Sequence, residues 1–236
     1  MTSLLAWHGC HADGTTRHLR IKEVVGVKTL LAGDVELCKN ALHGSLRAVD
    51  MLRFREGLWV KRTLHEGTIF HHSDKIGSSE RTVVAEADAT QVVLDWAFWY
   101  ADRAVRIHAV TALRQAGMNI EAEKLVGLEA ITDKKSALAA SNAANAIRAA
   151  AYNAANTVRA AAFFAANAVR DAANAADAAV RDAANAADAA ANAAGHAANT
   201  AAAYDAANAV EMEFLNAELE RRLLALMGLT ETEVIQ

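Results

Sequence analysis

From Ser141 onward the chain repeats itself every eleven residues, and an alanine-rich repeat of that length leaves few folds open. Asn145, Asn156 and Asn167 fall in register, as do Ile147, Val158, Val169 and Val180, and Arg148, Arg159, Arg170 and Arg181. Tyr152 and Phe163 share a further position, which Asn174 and Asn185 take over. Eleven residues over three turns is about 3.67 per turn, close to a relaxed α-helix and favouring a straight or slightly right-handed superhelix. Alanine is the best helix former. The 236 residues contain no proline, so no ring clash or missing N–H interrupts the run. An α-helical segment is expected over 133–229, its alanine-rich body running from Lys135 to Met227.

Placed on a helical wheel, Ile147, Val158, Val169 and Val180 form a ladder down one face, with alanine columns on both sides. The Arg, Asn and Tyr/Phe columns lie opposite. So narrow a stripe stabilises little unless backbones approach closely, and the partner that permits this is another such helix. That partner is either the same chain folded back or a second subunit, and a homo-oligomer is expected. Gly195-His196 is the natural place for a bend. Unbroken, residues 143–209 would extend about 100 Å. Beyond Val210, larger apolar residues return with Phe214, Leu215, Leu219, Leu223, Leu224, Leu226 and Met227. They predict a terminal clasp or oligomerisation helix ended by Gly228, with 230–236 as a tail.

Composition changes near Asp88. Before it, β-favouring runs at Leu4–Trp7, Arg17–Val24, Val27–Leu31, Leu58–Leu64, Thr68–His71 and Thr82–Ala85 alternate with Gly, Ser and charged residues. A short helix capped by Ser45 is expected after the turn Leu42-His43-Gly44-Ser45, carrying Leu46, Val49, Leu52 and Phe54. Residues 1–88 therefore read as a small, β-rich head. Asp88 with Gln91 signals a helix start, and Gly117 a stop. Trp96-Ala97-Phe98-Trp99-Tyr100 is expected to be a core stripe, and a second helix is expected over Ile120–Ile131. Residues 89–132 are read as a helical connector packed on the head. The fold class is α+β: a β-rich N-terminal domain, then helices, then the long alanine-rich segment.

A net charge of −4 and a pI near 6.1, with both signs interspersed, argue against nucleic acid as a partner. No apolar run is long enough to span a membrane, and the first residues lack the basic start of a secretory signal. Cys10 and Cys38 in a chain of this size fit a reducing compartment, so a cytoplasmic location is expected.

Eight of the nine histidines precede the repeat, some beside cysteine, but paired metal-ligand spacing is missing and no metal is expected. The residues Leu37-Cys38-Lys39-Asn40-Ala41-Leu42-His43-Gly44-Ser45, then Asp50, Asp74-Lys75 and Arg81-Thr82-Val83-Val84, resemble an uncharacterised domain family of phage and bacterial proteins. Its signature is a C-x-x-G-x-H-[GA]-[SC] turn, a short helix, a strand pair and a D-K pair. Here Ala41 replaces the usual glycine. The resemblance covers most of 27–131 loosely. Some members are similar over the whole chain, with an alanine-rich tail closed by an N-x-x-L helix, as at Asn216 and Leu219. The resemblance implies a phage or prophage source, hence a bacterial host's cytoplasm, and no established activity. It marks Cys38, His43, Gly44, Ser45, Asp74 and Lys75 as the candidate functional cluster.

His43-Gly44-Ser45 also resembles the H-G-[ST] strand of ADP-ribosyltransferases, which implies an NAD- or nucleotide-handling enzyme. That family's tyrosine pair and catalytic glutamate motif are not evident. The repeat is similar to alanine-rich fish antifreeze helices, which implies ice binding, but its only threonines are Thr157 and Thr200. The expectation is a non-enzymatic accessory protein with no catalytic residues and no cofactor. It would self-associate through the repeat, with room for an unidentified protein partner.

Overall fold

The computed structural model describes residues 3–16, 20–37, 39–53, 58–115, 117–133, 135–136, 139–140, 142–143 and 201–230. The ladder residues Ile147, Val158, Val169 and Val180, the Gly195 bend and Cys38 lie outside them. The chain divides into two compact units: Met1–Val93 with Asn216–Gln236, and Leu94–Leu215.

The first unit is an antiparallel sheet. β1 (Leu4–Cys10), β4 (Trp59–His71), β5 (Ile76–Asp88) and β2 (Lys28–Leu30) stand in that order, and β3 (Leu42–Gly44) pairs the opening residues of β5. Ser45 continues β3 into a bridge with Trp7: the Trp7 amide donates to Ser45 O at 2.7 Å and the Ser45 amide to Trp7 O at 2.8 Å. β3 thus touches β5 on one side and β1 on the other, so β1, β4, β5 and β3 close into a small barrel. The ring is closed at this one bridge, and β2 lies outside it.

β4 and β5 form one long hairpin. The runs expected separately at Leu58–Leu64 and Thr68–His71 belong to one strand, bent by register shifts at Arg62/Thr63 and Glu66/Ile69. Gly67, at φ +73°, sits in the second shift, where an added Cβ would run into Ser79 Oγ. The expected strand over Arg17–Val24 does not form in its described part, which makes only a bridge between Lys22 and Thr15. Arg20, at φ +50°, turns the chain there.

The helix after the turn is shorter than expected. Ser45 is a strand-bridge residue rather than a cap, and α1 (Ala48–Met51) begins after Arg47, whose side chain makes no capping bond. Its first amides are satisfied from the far end of the sequence. The Ala48 amide donates to Glu220 Oε1 at 3.2 Å and the Val49 amide to Asn216 Oδ1 at 3.2 Å. Trp7 Nε1 donates to the same Glu220 oxygen at 3.1 Å. Leu219 and Leu223 are fully buried beside them. The expected clasp is real: residues from Asn216 onward lock α1 and the outer face of β1.

The second unit is helical. α2 (Thr90–Arg103), whose start is held by Asp88 accepting from the Thr90 amide, leads through a π-helical turn (Ala104–Ala109) into α3 (Val110–Gln115). α3 ends at Gly117, φ +77°. α4 covers Asn119–Val126, shorter than the expected Ile120–Ile131. Gly127 closes it, and Ile131 is buried beyond the helix with its amide on Asp102 Oδ1. Ala101, Val105, Ala109, Leu113, Leu125 and Ala140 share the core. Trp96 and Tyr100 meet edge to face at 4.8 Å and are fully buried, as expected of a core stripe. α5 (Ala201–Leu226) is helical where the repeat's end was expected to be, and Gly228, φ +68°, follows it.

Candidate functional site: the polar interior of the barrel

β-strand alternation puts Lys61, Thr63 and His65 on one face of β4, and the register sets them beside His8 and Ala6 on β1 and Glu86, Val83 and Arg81 on β5. This face points inward. Lys61, Thr63, His65 and Ser78 are wholly buried, and Arg81 and Glu23 nearly so. An interior of this kind is stable only if most of its polar groups find partners, and here His8 Nε2 is buried without a hydrogen bond.

His65 is the hub. Its Nε2 lies 3.0 Å from Thr63 Oγ1 and its Nδ1 2.8 Å from Ser78 Oγ. Each hydroxyl also reaches a carbonyl, Thr63 to Ala6 O at 3.1 Å and Ser78 to Glu80 O at 2.8 Å. Proton counting settles the roles. A neutral imidazole has one N–H, so one hydroxyl receives it and donates its own proton to a carbonyl, while the other donates to the ring. Either tautomer therefore leaves one of the two carbonyls without a hydroxyl proton. Burial first, then the neighbouring Arg81 and His43, depress the His65 pKa to about 3. The ring therefore stays neutral and ties β1, β4 and β5 together. Ser78 beside His65 has the spacing of an activated hydroxyl, but both residues are sealed from substrate.

Glu23 organises the charges. Its Oε1 accepts from Arg81 Nε at 2.8 Å and lies 2.7 Å from Nη2, and its Oε2 is 3.5 Å from Lys61 Nζ. Lys61 is also 3.6 Å from Glu86 Oε2. The two cations and two carboxylates balance, as buried charges must. His8 is held well below the ordinary histidine range by burial, then by Arg81, His65 and Lys61, and burial pushes the Cys10 thiol up to about 11. Neither an imidazolium nor a thiolate is offered at neutral pH.

The residues singled out from the sequence have structural duties here. His43 O accepts from Arg81 Nη1. Gly44 lies over the His65 ring: an added Cβ would stand 2.7 Å from His65 Nε2 and 2.8 Å from Ala6 Cβ. Ser45 makes the bridge that closes the barrel. Glycine is required at position 44 for close approach rather than for an unusual backbone angle. Asp74 and Lys75 occupy the β4–β5 turn, next to Ile76, which pairs with Gly44. There Asp74 Oδ1 meets His72 Nδ1 at 3.0 Å in solvent, and the His72 amide donates to Lys75 O. The backbones of 43–45 and 74–75 come to one end of the barrel. The side chain of Asp74 engages His72.

Glu23, Lys61, Thr63, His65 and Ser78 were not singled out beforehand, and Arg81 only within the run Arg81-Thr82-Val83-Val84. The signal of Lys61, Thr63 and His65 was present as period-two polar residues in β4, but such a pattern ordinarily marks the wet face of a strand. Among the described residues, no group of three or more His, Cys, Asp or Glu is placed to hold a metal ion, and no helix is long and apolar enough to cross a membrane. A comparison with known protein families, with curated proteins and with solved structures finds no match.

Proposed function

We propose that this chain is a non-enzymatic structural or interaction protein of phage-related origin, in which the alanine-rich repeat is an arm that mediates self-association. The reading is carried by where the two ends of the repeat are tethered. Ala140 is buried in the core formed by Ala101, Val105, Ala109 and Leu113, and Ala143 packs on the same cluster. α5 is fastened to α2 and the π turn in antiparallel order: Glu211 to Arg103 at 2.6 Å and His108 at 3.1 Å, Phe214 to Trp99 at 5.7 Å, and Leu215 O to Trp96 Nε1 at 3.1 Å. Ala201 therefore stands about 15 Å ahead of Glu211, toward the α3 end.

A single unbroken helix through residues 144–200 would be about 86 Å long, whereas residues 94–115, to which both ends are tied, extend only about 33 Å. A repeat whose two flanks are fastened to one short helical unit fits the expectation of a helix that packs on its own chain or on a second copy. Supporting a non-enzymatic reading, the His43-Gly44-Ser45 groups are committed to barrel closure.

Size-exclusion chromatography with light scattering tests the proposal. The expected result is a defined oligomer that Val158→Glu with Val169→Glu dissociates without loss of the head's fold. A wild-type chain that stays monomeric at high micromolar concentration overturns it.

A further inference from the structure

The segment from Ile21 to Leu30 is inverted relative to ordinary burial. Its acid, Glu23, is inside, while Val24, Val25, Val27 and Leu30 stand outside at 61, 46, 54 and 69% exposure. These four residues offer roughly 400 Å² of apolar surface, the size of the largest patch on a typical monomer and often a functional one. Leu30 stands on β2 and the three valines on the segment that leads into it; β2 pairs β5 on one side and no strand on the other among the described residues.

The register defines which main-chain groups are available. The Leu31 amide donates to Ser79 O, so Thr29 and Arg81 form the next hydrogen-bonded pair, and the N–H and C=O of Lys28 and Leu30 point away from the sheet. A lysine on an edge normally deters pairing. Here Lys28 Nζ is held at 2.9 Å by Glu66 and at 2.9 Å by Glu80 of its own chain, so its charge does not guard the edge.

We propose that this edge pairs with the same edge of a second copy, antiparallel, on a twofold axis through Thr29. In that register Lys28 of each copy lies opposite Leu30 of the other, with four main-chain hydrogen bonds between them, and Val27 lies opposite Leu31. The pairing is self-complementary, sets no like charges directly opposite, and brings Val27 and Leu30 of the two copies to one seam. Even complete coverage of both patches would bury only roughly 800 Å² of apolar surface, below the 1,200–2,000 Å² of stable complexes. The contact is therefore weak and concentration-dependent. It is independent of the arm.

Hydrogen exchange of the full-length chain at low and high micromolar concentration tests it. The amides of Lys28 and Leu30 are expected to exchange about tenfold more slowly at the higher concentration. Leu30→Lys and Leu30→Pro should both abolish this difference, since they alter an outward-facing position. The Leu31 amide, bonded within the chain, should stay protected in Leu30→Lys and report an intact β2–β5 ladder. Concentration-independent exchange at Lys28 and Leu30 in the wild type overturns the proposal. So does protection that survives Leu30→Lys, because the contact would then lie elsewhere. Dissociation by the arm substitutions alone leaves the Lys28 and Leu30 readout unchanged, which separates the two interfaces.

Discussion

Replacing Gly44 by alanine tests whether the barrel is closed over His65. In an ordinary strand this change would stabilise by about 0.5–1 kcal/mol, because glycine loses more backbone freedom on folding. Here the new methyl would stand 2.7 Å from His65 Nε2, 3.2 Å from its Cε1 and 2.8 Å from Ala6 Cβ, where ordinary contact begins near 3.4 Å. Something must recede by about 0.7 Å. Ala6 is fixed by the β1–β4 ladder, and His65 is pinned at both nitrogens. Overpacking of this kind costs about 1–3 kcal/mol, and breaking one buried hydrogen bond to the ring adds about 1–3 more. The net expectation is a loss of about 2–4 kcal/mol. Hydrogen exchange at the Trp7 and Ser45 amides reads the closure directly. Their exchange should accelerate by roughly 30- to 1,000-fold in Gly44→Ala. Gly127→Ala is the control, since its Cβ would meet Glu123 O at 3.5 Å and Lys124 O at 3.8 Å, both ordinary contacts. Adding His65→Ala to Gly44→Ala should recover about 1 kcal/mol or more relative to the sum of the single changes. Trp7 and Ser45 amides as slow in Gly44→Ala as in the wild type would refute the closed barrel.

Two pH dependences follow from buried groups of opposite kind. His65 has a folded pKa of about 3 against an unfolded value near 6.5, so the unfolded chain binds the proton first. Its contribution is full above pH 6.5 and falls as pH drops toward 3. The slope of head stability between pH 6.5 and 4, from urea melts, should flatten in His65→Gln, and an unchanged slope would contradict the assignment. Glu211 is raised by burial, but its hydrogen bonds from His108 and Arg103 outweigh that and bring it to about 2. A depressed carboxylate stabilises above pH 4.5 and ceases to do so as pH falls through 2. Glu211→Gln should loosen α5 from α2 by about 1–3 kcal/mol. Exchange at amides of 204–212 would rise accordingly, and equal protection would count against it.

What could be read from the sequence, and what could not, divides along a physical line. Helix stops at Gly117 and Gly228, the start at Asp88, the core stripe at Trp96 and Tyr100 and the clasp around Leu219 and Leu223 all rest on local chemistry, and the structure has them. β3 was hidden because three residues carry no period. Leu42-His43-Gly44 reads as a turn until Ser45 is seen bridging Trp7. α1 was misplaced because its caps, Asn216 and Glu220, lie some 170 residues away. No local rule finds a cap supplied at that distance.

The polar interior eluded reading for a deeper reason. Lys61, Thr63 and His65 alternate with Val60, Arg62 and Leu64, and either face of such a strand can be the wet one. The choice is made by what lies opposite: Trp7 and Arg62, stacked at 4.4 Å, on the side of Glu220, and Glu23 with Arg81 on the other. Once Glu23 is drawn inside to neutralise Arg81 and Lys61, the valines that follow it are carried outside, whatever their hydropathy. The exposed edge at Val24–Leu30 is thus the outer consequence of the buried charge cluster. A chain that retains such a cluster, although apolar residues of similar volume would often be as stable, keeps with it a surface suited to a partner. The cluster therefore links the inside of the head to its proposed self-recognition.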